Sequence, residues 1–284
     1  MYFGIAQALQ FSIVGIPYFG VETCGFNYNA DLELCTKWMQ LSAWFPLYRN
    51  HDNRNTIAQE AYRWATNAES TRRIMNIRYS TLPYTYTLFR KAHTAGETVL
   101  RALAWEFPDD ESLKAVETQF MSGPALLVTP VLEPLATTVK GVFPGVKDGT
   151  RWYDWYTLDE VDATPGENKT LDAPLVHQPI HIRGGYIIPI SIRMGMLRLK
   201  FTKNTLTSKA TGSYDDHLPI ANITVVGLKN SLGAVHMTLG KKKLDISGAT
   251  LNSSSTSGNL HYTYLEAATK AGIWCADFTL SLSY

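Results

Sequence analysis

The chain has 284 residues, of which 45% are hydrophobic and 18% charged, and a net charge of +1. That much apolar material can pack one large or two modest domains. The near-neutral balance offers no basic excess to hold phosphate, which argues against a nucleic-acid partner, and the run Lys241-Lys242-Lys243 reads as a solvated loop.

The opening stretch, MYFGIAQALQFSIVGIPYFGVE, is apolar and precedes the first cation, Lys37. A signal peptide places positive charge ahead of its apolar core, so no signal peptide is read here. Gln7, Gln10 and Ser12 interrupt the run, which is too broken for a membrane span of about 20 apolar residues, so no membrane partner is expected. Residues 5–14 read as a helix and residues 15–21 as a buried strand bounded by glycines and Pro17, the pattern of a parallel sheet covered on both faces. The chain thus reads as starting inside an α/β domain. A helix over residues 30–44 follows, with Asn29 as its cap, Asp31 and Glu33 at its positive end, and Leu34, Trp38 and Leu41 as its buried stripe. Residues 43–47 read as a second strand ending in Tyr48-Arg49-Asn50-His51. Helical sequence then runs over residues 58–95, broken at Pro83.

Chemistry in α/β sheets sits at the carboxyl ends of strands. Glu22 lies at one such end, and Arg49 and His51 at the next, which makes them site candidates. The alternative is a structural ion pair beside a satisfied histidine.

After residue 96 the pattern becomes all-β: residues 98–105, 125–131 and 186–190 are strand-like and separated by Gly/Pro-rich turns. Trp152-Tyr153-Asp154-Trp155-Tyr156 is either an aromatic sugar platform or alternating core. Asp109-Asp110 reads as a solvated loop. Residues 195–284 are β-rich, with much Ser, Thr, Gly and Asn. Cys24 and Cys35 lie eleven apart and Cys275 stands alone; no CxxC or HExxH spacing occurs, so neither a metal nor a cofactor is expected. Sequons at Asn168, Asn222 and Asn252 favour a secretory route.

The stretch GIPYFGVETCGFNYNADLELCTKWMQLSAWFPLYRNHDN resembles glycoside hydrolase family 31, in particular its secreted fungal α-glucosidases. Further segments match in order: NIRYSTLPYTYTLF, RALAWEFP, FMSGPALLVTPVLEP, VFPG, RWYDWYT and HIRGGYIIPI. The resemblance implies the last part of a TIM barrel (residues 1–96), a proximal β-sandwich (97–190) and a truncated distal β-sandwich (191–284), with an internal deletion after Ile190. It implies retaining hydrolysis of terminal α-linked glucose by two carboxylates about 5–5.5 Å apart. Neither the W-x-D-M-N-E-like nor the H-W-x-G-D-N-like segment that carries them occurs in these residues. No catalytic residue is therefore assigned, and no activity is expected from the chain alone.

The same resemblance makes His51 the histidine that hydrogen-bonds the non-reducing glucose, Phe26 an aromatic that shapes the subsite, and Glu22 a substitute for the family's usual Asp. Arg49 becomes a loop anchor, and Cys24 and Cys35 a disulfide. It implies an α-glucoside or oligosaccharide substrate, an extracellular location, and a polypeptide carrying the amino-terminal half of the barrel as a candidate partner. The alternatives are a non-catalytic carbohydrate-binding pseudoenzyme and a gene fragment without function.

Overall fold

The computed structural model describes residues 1–190 and eight strands between residues 197 and 283. It divides into two compact units, the first built mainly from Met1–Tyr156 and Val161–Arg183, the second from residues beyond 193 with two short earlier segments.

The first unit begins with helix α1 (Tyr2–Ile13), as the apolar period requires. The expected strand over residues 15–21 does not form. Only β1 (Glu22–Thr23) pairs, in parallel with β2 (Arg49–Asn50), in the register Glu22↔Arg49 and Thr23↔Asn50. The preceding residues 14–21 form a turn, a bend and irregular chain, and Ile16 and Tyr18 are exposed. The second expected strand is likewise displaced, from residues 43–47 to Arg49–Asn50.

The backbones of the two segments touch just before they pair. Leu47 N donates to Phe19 O at 3.0 Å, and a Cβ on Gly20 would sit 1.9 Å from Leu47 O. Only glycine permits that approach.

Helix α2 (Leu32–Ser42) is capped by Asp31, whose side chain accepts from Leu34 N at 2.7 Å. Asn29, the expected cap, is engaged elsewhere: its Oδ1 accepts from Ile57 N. Trp38 and Leu41 are buried as expected, whereas Leu34 is exposed. The long helical stretch forms α3 (Ala65–Ser80) and α4 (Leu82–Ala95), with Pro83 in the first turn of α4, where its missing N–H costs nothing.

The next segments form a five-stranded antiparallel sheet in the order β3 (Leu100–Arg101), β4 (Phe120–Ser122), β5 (Leu126–Val128), β9 (Ile180–Arg183), β7 (Trp152–Asp154). A separate ribbon pairs β6 (Thr138–Gly141) with β8 (Lys169–Asp172). Two expected strands differ. The stretch 98–105 gives only β3 before turning into the short helix α5 (Leu103–Glu106), and residues 186–190 are not strand. Asp109 is exposed, as read, while Asp110 caps a 3-10 turn through Ser112.

The sheet is covered on both faces, which explains its unbroken apolar strands. Phe120, Leu126, Val128 and Ile180 join Ile5, Trp38, Phe45, Ile77 and Leu88 in one core. Their alternate neighbours Met121, Leu127 and Trp152 pack with Leu103 and Phe143 in another. Ser12 Oγ donates to Leu100 O at 2.9 Å, and Tyr84 OH donates to Ser122 O at 2.9 Å, tying α1 and α4 to this sheet. One core therefore runs continuously across residue 96.

The second unit holds two antiparallel sheets. One has the order β10 (Leu197–Thr202), β11 (Thr205–Ala210), β17 (Phe278–Ser283), β13 (Ala234–Leu239), β14 (Lys242–Leu244). The other has the order β12 (Asn222–Leu228), β16 (Gly258–Thr263), β15 (Ala249–Ser253). Part of the lysine run read as loop thus belongs to β14. The junction directly after Ile190 and Cys275 lie outside the described residues. No helix among the described residues is long and apolar enough to cross a membrane.

Candidate functional site

The parallel pairing of β1 and β2 places the four candidate side chains in one neighbourhood. Glu22 and Arg49 are directly paired residues, and their side chains meet, Oε1 to Nη2 at 3.3 Å. Phe26 and His51 stand on the two loops that leave these strands, with ring centroids 5.6 Å apart. Asn53 N donates to Phe26 O at 3.0 Å, which locks one loop to the other.

The four residues differ in how they are held. His51 and Phe26 are exposed, and Arg49 is 52% exposed in its side chain. Glu22 has one oxygen on Arg49; its other oxygen, Oε2, is buried and has no hydrogen-bond partner. A buried carboxylate oxygen without a donor is costly unless a ligand or water supplies one. A carboxylate acceptor, an imidazole and an exposed ring within one small area can take the hydroxyls and the apolar face of a sugar. A cleft of about 460 Å³, lined by Met39, Tyr48, Asn50 and Gln59, adjoins His51. Burial raises the Tyr48 phenol pKa in its wall.

The loops are fixed from beneath. Cys24 and Cys35 form a disulfide, pinning the turn after β1 to α2. Gln59 is 4% exposed, and its Nε2 donates to Thr23 O, Gly25 O and Asn50 Oδ1 at 3.0–3.3 Å. Asn50 Nδ2 returns a bond to Gln59 O at 2.8 Å. Arg78, on α3, spreads its guanidinium over Ala43 O, Phe45 O and Pro46 O at 2.6–2.8 Å and lies 5.4 Å from the Tyr48 ring. Gln59, Asn50 and Arg78 had no sequence signal, because each acts mainly on backbone carbonyls.

The remaining candidates lie elsewhere. Asn168 is exposed directly before β8, and Asn222 and Asn252 fall in β12 and β15. Trp152 and Tyr153 are core, 1% and 3% exposed, while Tyr156 is 43% exposed. Among the described residues no group of His, Cys, Asp and Glu is placed to hold a metal ion.

Residues 1–88 match the TIM-barrel domain of glycosyl hydrolases family 31, and residues 96–188 match the C-terminal domain of the same family. The α-glucosidase of Aspergillus niger is 47% identical over 320 aligned residues, taking in 99% of this chain and 32% of that protein. The α-glucosidase of Aspergillus oryzae is 45% identical, again over 99% of this chain and 32% of the relative. Among solved structures, a glucosidase II alpha subunit superposes with a TM-score of 0.84 at 24% identity, over 99% of this chain and 36% of that one. A Flavobacterium johnsoniae dextranase gives 0.70 at 20% identity, over 98% of this chain and 41% of its own. The chain thus spans about a third of the length of the curated relatives it matches. An alignment of 320 positions against 284 residues leaves at least 36 positions that the Aspergillus niger protein fills alone. Two domain matches in chain order, a nearly full-length likeness to α-glucosidases and a shared fold agree: the chain belongs to glycoside hydrolase family 31.

Proposed function

We propose that these residues form the glucose-binding wall of a retaining α-glucosidase that releases terminal non-reducing α-linked glucose from maltose, oligosaccharides or starch. The observation that carries this reading is the paired Glu22 and Arg49 on β1 and β2, with Phe26 and His51 facing each other on the loops beyond. In this reading His51 hydrogen-bonds the sugar, Phe26 packs on it, and Glu22 receives a hydroxyl at its unpartnered Oε2. Arg49 holds Glu22 in place. The family resemblance puts nucleophile and acid/base in segments absent from these 284 residues, so the two-carboxylate chemistry needs further sequence. That sequence, carrying the amino-terminal part of the barrel, is the partner we infer.

The same reading divides the chain into barrel (1–96), proximal sandwich (97–190) and shortened distal sandwich (191–284). The relative's unmatched alignment positions support the shortening. The Cys24–Cys35 disulfide and the exposed sequon at Asn168 support an extracellular, glycosylated parent protein.

The test is maltose hydrolysis by the 284-residue chain alone and co-expressed with a polypeptide carrying the rest of the barrel. The chain alone should be inactive. The co-purifying pair should hydrolyse maltose, and His51→Ala should lower its kcat/KM by about tenfold or more. A stable pair that is inactive, or one indifferent to His51→Ala, refutes the reading.

A further inference from the structure

We propose that the chain carries a second saccharide-binding cleft, on a different face of α3 from the cleft beside His51, built around Tyr156 and Gln178 and suited to a neutral hexose or short glucan. Helix α3 divides two depressions. Thr71 and Met75 face the cleft beside His51, whereas Ser70, Ile74 and Ile77 line another of about 410 Å³. At 3.6 residues per turn these two sets centre about 110° apart around the helix, on adjacent faces. The second cleft falls within the roughly 300–1,000 Å³ of small-molecule sites.

Its lining combines an aromatic platform with neutral hydrogen-bonding groups. Trp155, packed on the core by one side, and the exposed Tyr156 end the aromatic pentapeptide and form one wall. The Tyr156 ring is fixed, with its hydroxyl donating to Gln178 O at 2.9 Å and the His177 ring 4.5 Å away, yet the residue remains 43% exposed. A rigid, accessible ring is what the apolar face of a pyranose stacks upon.

Gln178 supplies the second, independent observation. It is 2% exposed, its Oε1 accepts from Trp44 Nε1 at 3.3 Å, and its Nε2 has no hydrogen-bond partner. An amide donor without an acceptor at the wall of a cleft matches a ligand hydroxyl. Asn76 adds a further amide, whereas Gln40, 4% exposed, has its Nε2 committed to Ser70 Oγ and Leu175 O at 2.7 and 2.8 Å. Charge does not select an ion here. Arg73 Nε lies 2.8 Å from Glu69 Oε1, and burial lowers the His177 pKa, which keeps that ring neutral at pH 7.

The test is ligand-observed NMR of maltotriose titrated into the 284-residue chain. Saturable binding is expected. It should survive His51→Ala, weaken about tenfold or more in Tyr156→Ala, and be restored largely by Tyr156→Phe, which keeps the ring. Should Tyr156→Ala unfold, Asn76→Trp carries the test: it lies on the exposed side of α3, and its bulk should block the cleft with the thermal transition unchanged. The proposal is overturned if the unmodified chain shows no saturable binding. It is equally overturned if His51→Ala abolishes binding while Asn76→Trp leaves it intact. Because His51→Ala reports on the wall beside β2 alone, failure here is separable from failure of the glucosidase reading.

Discussion

Replacing Arg78 by alanine should destabilise the first unit more than any change among the four candidate sugar contacts. The guanidinium donates to three main-chain carbonyls, Ala43 O at 2.6 Å, Phe45 O at 2.7 Å and Pro46 O at 2.8 Å. These carbonyls belong to the end of α2 and the turn that delivers the chain into β2. Hydrogen bonds from a charged donor contribute about 1.5–3 kcal/mol each. Three bonds from one group are not additive, and water entering the half-buried site re-solvates part of the turn, so the expected loss is about 3–5 kcal/mol. Lost stacking over Tyr48 adds about 0.5–1 kcal/mol. Against a typical total of about 5–15 kcal/mol this is a large fraction. Arg78→Lys restores charge but not the planar fork and should recover less than half. Urea unfolding followed by tryptophan fluorescence measures the change. A loss below about 1 kcal/mol in Arg78→Ala would show that the turn is held by its own backbone and that the reasoning is wrong.

Three other outcomes follow from the same contacts. Cys24→Ser with Cys35→Ser opens an eleven-residue loop and should lower stability by about 3 kcal/mol in the chain-entropy account, seen as a lower urea midpoint matched by adding reductant to the parent chain. Gly20→Ala places a Cβ 1.9 Å from Leu47 O and should break the β1–β2 register, abolishing hydrogen-exchange protection at the Leu47 amide. His181 is 2% exposed, and burial lowers its pKa to about 4 from an ordinary 6.5. The unfolded chain therefore binds the proton first. Stability is full above pH 6.5 and falls as the pH drops towards about 4, by about 3 kcal/mol from this group, and His181→Phe should flatten that slope in acid melts.

The legible parts of the chain were those governed by period and by strand ends. The α2 stripe of Trp38 and Leu41 and the break before Pro83 follow from helical spacing and proline chemistry alone. Glu22, Arg49 and His51 were singled out because polar residues closing apolar segments mark the carboxyl ends of parallel strands; the structure pairs Glu22 with Arg49 and puts His51 directly after β2. Strand lengths were not legible. Residues 15–21 have strand composition, but strand needs a partner, and parallel pairing here extends over two residues only. Asn29 was expected as the α2 cap, but Asp31 caps the helix and the Oδ1 of Asn29 accepts from the Ile57 amide of a distant loop, a contact that local spacing does not show. The aromatic pentapeptide was read as either platform or core, and it divides: Trp152 and Tyr153 on β7 are core, while the chain leaves the strand at Trp155 and brings Tyr156 to the surface.

The site separates residues that hold from residues that touch. Gln59, Arg78 and the disulfide are buried or half-buried and bind mostly to main chain, so their loss appears in stability first and in binding only through displaced loops. His51 and Phe26 are exposed, and their side chains contribute one ring contact to the fold, so truncating either should leave the thermal transition almost unmoved. Glu22 stands between the two classes. One oxygen meets Arg49 near the surface, where an ion pair contributes little, and the other is buried without a donor, which opposes folding. Glu22→Gln turns one of these atoms into an amide donor. If the bare oxygen exists to receive a ligand hydroxyl, this change should leave the fold as stable as before, or more so, while weakening sugar binding by about tenfold. If Glu22 is a structural partner of Arg49, stability should fall instead and binding should follow it. Measuring both quantities on this one variant distinguishes a recognition carboxylate from a structural one.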